Sequence, residues 1–218
     1  MVTLAEDLYL LASDGSSGQL LIDLVHLDLG LGGALLLDLA LQDCVARTDG
    51  HVTVVDKTTT GQPLLDSALA TVAGRNRSHE PGYWVRHLGQ GAHRAVQHRL
   101  VEIGVLRRDD ARILHVIPVH RTHETDGRLH HDLADHLHDA VVQNHQPSPE
   151  TAALAALALT IGLDRHLFPC ADRHAVRQRM TEVSAWCGEA GWVTAAVAAA
   201  VNAVEAALGT VPGSTAYP

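Results

Sequence analysis

His130, His131, Asp132, Asp135 and His136 come closest, by type and spacing, to a set of residues that could do chemistry. On a helix, His131 with Asp135 and Asp132 with His136 are i, i+4 pairs, and each pair shares a face. A His-Asp step of this kind holds a divalent metal in helical metal-dependent phosphohydrolases. That reading needs further His and Asp ligands from other helices, and His98 and Asp139 are the residues available to it. A His-rich amphipathic helix over residues 128–142 supplies such spacings without any site. The expectation is no metal and no cofactor, with a metal-dependent phosphohydrolase on that helix as the alternative.

Histidine is conspicuous in another way. There are 16 His against 16 Lys and Arg together, and eight of them fall between His115 and His145. Protonating every one carries the formal net charge from −9 to +7. Histidine is the side chain whose ordinary titration falls just below neutrality, so acidification changes how this surface meets an anion. Other chemistry is missing from the sequence. It holds no dinucleotide-binding glycine motif after a strand, no phosphate-binding loop ending in Lys-Ser/Thr, no nucleophile elbow and no His-Glu-x-x-His. Acidic charge with 3% aromatic residues argues against nucleic acid as a partner.

The elements that must position these residues are mostly helices. Hydrophobic residues make up 46% of the 218, and the scarcity of aromatics leaves Leu, Val and Ala to build the core. Thr3-Leu4-Ala5-Glu6 is a capping box that opens a first helix. Residues 31–43 read as a helix apolar almost all round, which at this length belongs in the middle of a domain. Thr48-Asp49-Gly50-His51 is a hairpin turn, and Pro63 opens another helix. A long helix is expected from Tyr83 to Ile103, weakened at Gly89 and Gly91. A second hairpin follows over 105–119, then the His-rich helix and three Ala- and Leu-rich helices. The fold class expected is mainly α: one domain over 1–218 of amphipathic helices around a buried central helix, with two small β-hairpins. A weak boundary is conceivable only near 146–149. Cys44, Cys170 and Cys187 read as buried reduced thiols. No run reaches the roughly 18 to 20 apolar residues of a membrane span, Trp192–Leu208 coming nearest, and no secretory leader pattern opens the chain. A cytoplasmic protein is expected, meeting any membrane from its inner face.

Four segments in fixed order carry a family resemblance. They are Thr3-Leu4-Ala5-Glu6-Asp7-Leu8-Tyr9-Leu10-Leu11, Gly30-Leu31-Gly32-Gly33-Ala34-Leu35-Leu36-Leu37-Asp38-Leu39-Ala40-Leu41, Thr60-Gly61-Gln62-Pro63-Leu64-Leu65-Asp66-Ser67-Ala68-Leu69, and Arg99-Leu100-Val101-Glu102-Ile103-Gly104-Val105-Leu106. The chain resembles the Golgi phosphoprotein 3 family, in its bacterial branch. The resemblance runs from about residue 3 to residue 208. It implies a non-enzymatic peripheral membrane adaptor that binds anionic lipid, specifically phosphatidylinositol 4-phosphate in eukaryotic members. No protein partner can be named from it.

The resemblance also implies a headgroup pocket made by an aromatic residue and three arginines. Those places fall on Asp23, Gly32, Gln90 and His93 here, so only His93 can still carry positive charge. Arg86, His87 and Arg94 lie on the same expected helix as Gln90 and are the supporting basic residues. By the same resemblance, the apolar Ile113, Leu114, Val116 and Ile117 of the 105–119 hairpin would serve membrane contact or homo-oligomerisation.

Overall fold

The computed structural model describes residues 2–15, 17–75, 77–113, 117–125 and 127–209, with the backbone alone at 108–113, 117–123, 189, 208 and 209. It is 65% helical. The fold is mainly α, with two antiparallel hairpins among the described residues.

Helix α1 (Leu4–Leu11) begins as its sequence dictates. Thr3 accepts the backbone N–H of Glu6, and Glu6 reaches back to the backbone N–H of Thr3 at 2.7 Å. The central helix α2 (Leu24–Leu41) starts seven residues before the expected position. Asp23 is its cap, accepting the N–H groups of Val25 and His26 at 3.0 and 3.1 Å. At 18 residues α2 is long and apolar enough to cross a bilayer by length and composition, which corrects the expectation that no segment is. Two thirds of it lies inside the bundle, however. Leu36, Leu37 and Leu39 are fully buried and Leu35 nearly so.

Strands β1 (Val45–Thr48) and β2 (His51–Val54) form the first hairpin. Asp49 and Gly50 both have positive φ, the backbone a two-residue turn between right-twisted strands requires. Helix α3 (Pro63–Ala73) follows, with Pro63 in its first turn. The single helix expected over 83–103 is two helices, α4 (Pro81–Gly89) and α5 (Ala92–Glu102). Gln90 leaves the helical region at ψ 99°, and Gly91 turns the chain at φ +72°.

The second hairpin pairs β3 (Leu106–Ile113) with β4 (Ile117–Glu124), Leu106 opposite Glu124 and Ile113 opposite Ile117. It runs five residues past the expected end. Leu114 and Val116 lie outside the described residues, and of Ile113 and Ile117 only the backbone is described. Helices α6 (Arg128–Val141), α7 (Pro149–Thr160), the short α8 (Asp164–Leu167), α9 (Arg173–Ser184) and, after a 3-10 helix over Ala185–Ala190, α10 (Gly191–Gly209) follow among the described residues.

Helices α1, α3, α4, α5, α7 and α10 all pack on α2. Glycine permits two of the closest approaches. A Cβ on Gly32 would meet the Val85 carbonyl and, at 2.6 Å, the Gly89 backbone N, while one on Gly89 would meet the Asp28 carbonyl. On the opposite side, a Cβ on Gly33 would overlap Val197 of α10. One hydrophobic core contains residues from both sides of the 146–149 loop. Cys44 and Cys187 are buried in it, but Cys170 is exposed, because it sits in the turn between α8 and α9 rather than on a packed face.

Candidate functional site

Two aspartates in the first half of α2 organise the polar chemistry around the expected lipid positions. Asp23 caps the helix, and its second carboxylate oxygen meets His26 Nδ1 at 2.5 Å. Desolvation pushes its carboxyl up. The N–H and ring of His26 and the N–H of Val25 outweigh that and hold it below the ordinary carboxylate range. Asp28 lies inside the helix. Its Oδ1 accepts the backbone N–H of His93 at 2.9 Å and meets His93 Nδ1 at 2.8 Å. A carboxylate here takes up an orphan N–H in the first turn of α5 and faces the positive end of that helix. The same bond fixes the Gln90–Gly91 joint against α2.

The family-equivalent positions are not gathered into one pocket. Two residues along a helix is a rotation of about 200°, so His26 and Asp28 face opposite sides of α2. Asp23 and His26 line a cavity of about 350 Å³ with Arg165 and Arg177, and His26 Nε2 lies 3.9 Å from Glu205 of α10. Gly32 instead faces α4, and His93 meets Asp28 where α5 packs on α2. Gly32 is buried where α2 crosses α4, and presents nothing to solvent. Gln90 is exposed at the joint.

The supporting basic residues scatter too. His87 Nε2 meets Arg75 at 3.1 Å, with the Tyr83 ring stacked between His87 and His79. Arg86 points to another face of α4 and lines a groove with Arg47 and Trp192. Arg94 is exposed on α5. None of the three is bonded to Gln90 or His93 among the described residues.

The His-rich helix does not assemble a metal centre. His131 and His136 are exposed on α6, and His131 meets only Asp135, at 3.5 Å. His130 turns inward to the Leu10 carbonyl at 3.1 Å, and His98 pairs with Glu102 on its own helix. Among the described residues no three His, Cys, Asp or Glu side chains could hold one ion. The phosphohydrolase alternative therefore has no ligand set on α6.

A second acidic locus was missed by the sequence reading. Asp38, on the last turns of α2, accepts the backbone N–H of Leu4 at 2.8 Å and so anchors the start of α1. Asp7 joins it in lining a cavity of about 360 Å³. Burial, with the neighbouring carboxylates, pushes both acids up to about 7. The signal was available in part: Asp28 and Asp38 are the two acids inside a helix that is apolar apart from them and His26, and such residues need partners.

These features define a class, a helical domain wound around one buried apolar helix and tied to its neighbours by buried or half-buried carboxylates. The family model for Golgi phosphoprotein 3 (GPP34) matches residues 4–204, and the chain belongs to that family. Among curated proteins, none matches it.

Proposed function

We propose that this chain is a non-enzymatic adaptor that sits peripherally on the cytoplasmic face of a membrane and holds anionic lipid more tightly as pH falls. The observation that carries the reading is the loss of fixed cations at the family positions, with histidine–aspartate pairs beside them. Where the family resemblance places an aromatic residue and three arginines, this chain has Asp23, Gly32, Gln90 and His93; Asp23 is paired with His26, and His93 with Asp28. With neutral imidazoles the two carboxylates repel an anionic surface. Protonation cancels that repulsion, and the exposed His98, His131, His136 and His174 add positive charge.

Each basic group near an anionic surface contributes about 1 kcal/mol. Three or four protonated histidines facing the lipid thus raise affinity by about two to three powers of ten. The test is sedimentation with anionic vesicles at pH 7.5 and pH 5.5, with circular dichroism to confirm the fold at both. Stronger sedimentation at pH 5.5, reduced in His93→Gln, is expected. Equal binding at the two pH values, or none at either, rejects the reading.

A further inference from the structure

The groove between α4, the β1–β2 turn and α10 holds charge of a different kind. Arg47, on β1, and Arg86, on α4, both line it, and the cavity there is about 510 Å³. Both side chains are exposed, and neither has an ion-pair or hydrogen-bond partner among the described residues. Glu80 is the one acid on the rim. The groove thus keeps an excess of fixed positive charge that does not depend on histidine.

The floor is apolar. Ala196 and Ala199 of α10 line it, and Trp192 closes one end, half-buried. Trp186, in the 3-10 helix leading into α10, is 52% exposed. Of the three tryptophans only Trp84 is buried in the core; Trp192 lines the groove, and Trp186 is exposed in the segment before α10. Unpaired guanidinium groups grip phosphate oxygens through planar, forked donors. Indoles settle where an apolar body meets a wet polar edge, as at the boundary of a bilayer.

Resting on the membrane reading above, we propose that this groove, rather than the positions the family uses, is the fixed-charge contact of this chain with membrane lipid. Arg47 and Arg86 would engage a lipid phosphate, with Trp192 and the alanine floor against the upper acyl chain. An anionic lipid fits better than a free anion, because the floor beneath the two cations is apolar. It fits better than an acidic peptide, because the Trp192 indole beside an apolar floor suits a bilayer edge and Glu80 would oppose a run of carboxylates.

The test uses phosphatidylcholine vesicles with and without about 30 mol % phosphatidylglycerol, at pH 7.5, where histidine contributes least. Each of Arg47→Gln and Arg86→Gln should lower partition onto the anionic vesicles about fivefold, and the double variant about thirtyfold. Arg173→Gln removes the same charge from an exposed place on α9 and should change partition less than twofold. Trp192→Ala should weaken binding and remove part of the fluorescence change seen on adding vesicles. Both arginines are exposed, so circular dichroism should be unchanged in the double variant. An effect of Arg173→Gln equal to that of the groove variants overturns the site in favour of diffuse charge. Wild-type binding that survives the double variant overturns the groove but leaves the membrane reading standing. Failure of the wild type to bind anionic vesicles at pH 7.5 and at pH 5.5 removes both. Arginine-dependent binding of a soluble oligoglutamate, with vesicle partition unaffected by the same variants, assigns the groove to an acidic protein and overturns the lipid proposal.

Discussion

Rising pH should destabilise this fold through Asp7 and Asp38. Both carboxyls are pushed from the ordinary value of 3.8 up to about 7, mainly by burial, and Glu6 raises both further. Asp38 feels Asp7 and Glu150 as well, and the Leu4 N–H opposes the shift without cancelling it. The folded chain therefore keeps protons that the unfolded chain has released. The stability these two acids contribute is full below about pH 4, falls as pH rises toward 7, and levels off above that. A shift of about three units is worth about 4 kcal/mol for one group. The Asp7 charge is itself one of the smaller causes of the Asp38 shift, so the two losses do not fully add, and the loss expected for the pair is on the order of 4 to 8 kcal/mol. The aspartates whose carboxyls are lowered, Asp23, Asp56 and Asp172, lose their contribution only below about pH 4 and leave this window clear. Urea unfolding at intervals from pH 5 to pH 8.5 gives the slope. Asp7→Asn and Asp38→Asn should each flatten it and stabilise the protein at pH 8, since Asn at position 38 can still accept the Leu4 N–H. A wild-type stability that is flat or rising over that interval, or variants that keep its slope, would refute the assignment.

Gly32→Ala should cost about 3 kcal/mol, because the added methyl meets backbone of α4 that cannot rotate away, and urea midpoints read this directly. Gly32→Arg, which restores the family's cation at that position, should fail to give a cooperatively folded protein. His93→Gln should cost about 1 kcal/mol through the lost side-chain bond to Asp28, and should speed hydrogen exchange at the amides of the α4–α5 joint.

Local signals were legible wherever the residues that decide a conformation are neighbours in sequence. Thr3 with Glu6, Asp49 with Gly50, and Pro63 each place a cap, a turn or a helix start without help from elsewhere. The start of α2 was missed because the apolar pattern is plainest from Gly30 onward, while the decisive cap, Asp23, stands seven residues earlier. The break between α4 and α5 was visible only as a weak point. What turns it into a joint is Asp28, 65 residues upstream, bonded to the second residue of α5. The site was less legible than the fold for the same reason. The family resemblance supplied four positions, but the 200° between His26 and Asp28 on one helix separates them. Arg47 and Trp192 meet across a groove that no local pattern announces.

The two carboxylates inside α2 perform one structural task beside different neighbours. Each accepts an N–H from the first turn of another helix, Asp38 from α1 and Asp28 from α5. Asp28 has His93 beside it. Asp38 has Asp7 beside it, so acidification removes a repulsion and favours the folded chain. The histidine-bearing surface is also most positive at low pH. Tighter fold and tighter lipid contact would then rise together, and a simple pH series could mistake one for the other. The double variant Asp7→Asn with Asp38→Asn separates them. It removes the pH dependence of the acid cavity without touching Arg47, Arg86 or the histidines. Lipid binding in that variant should keep its full strengthening between pH 7.5 and pH 5.5. If the strengthening instead disappears with the stability slope, the histidines are not its source, and the acid cavity is.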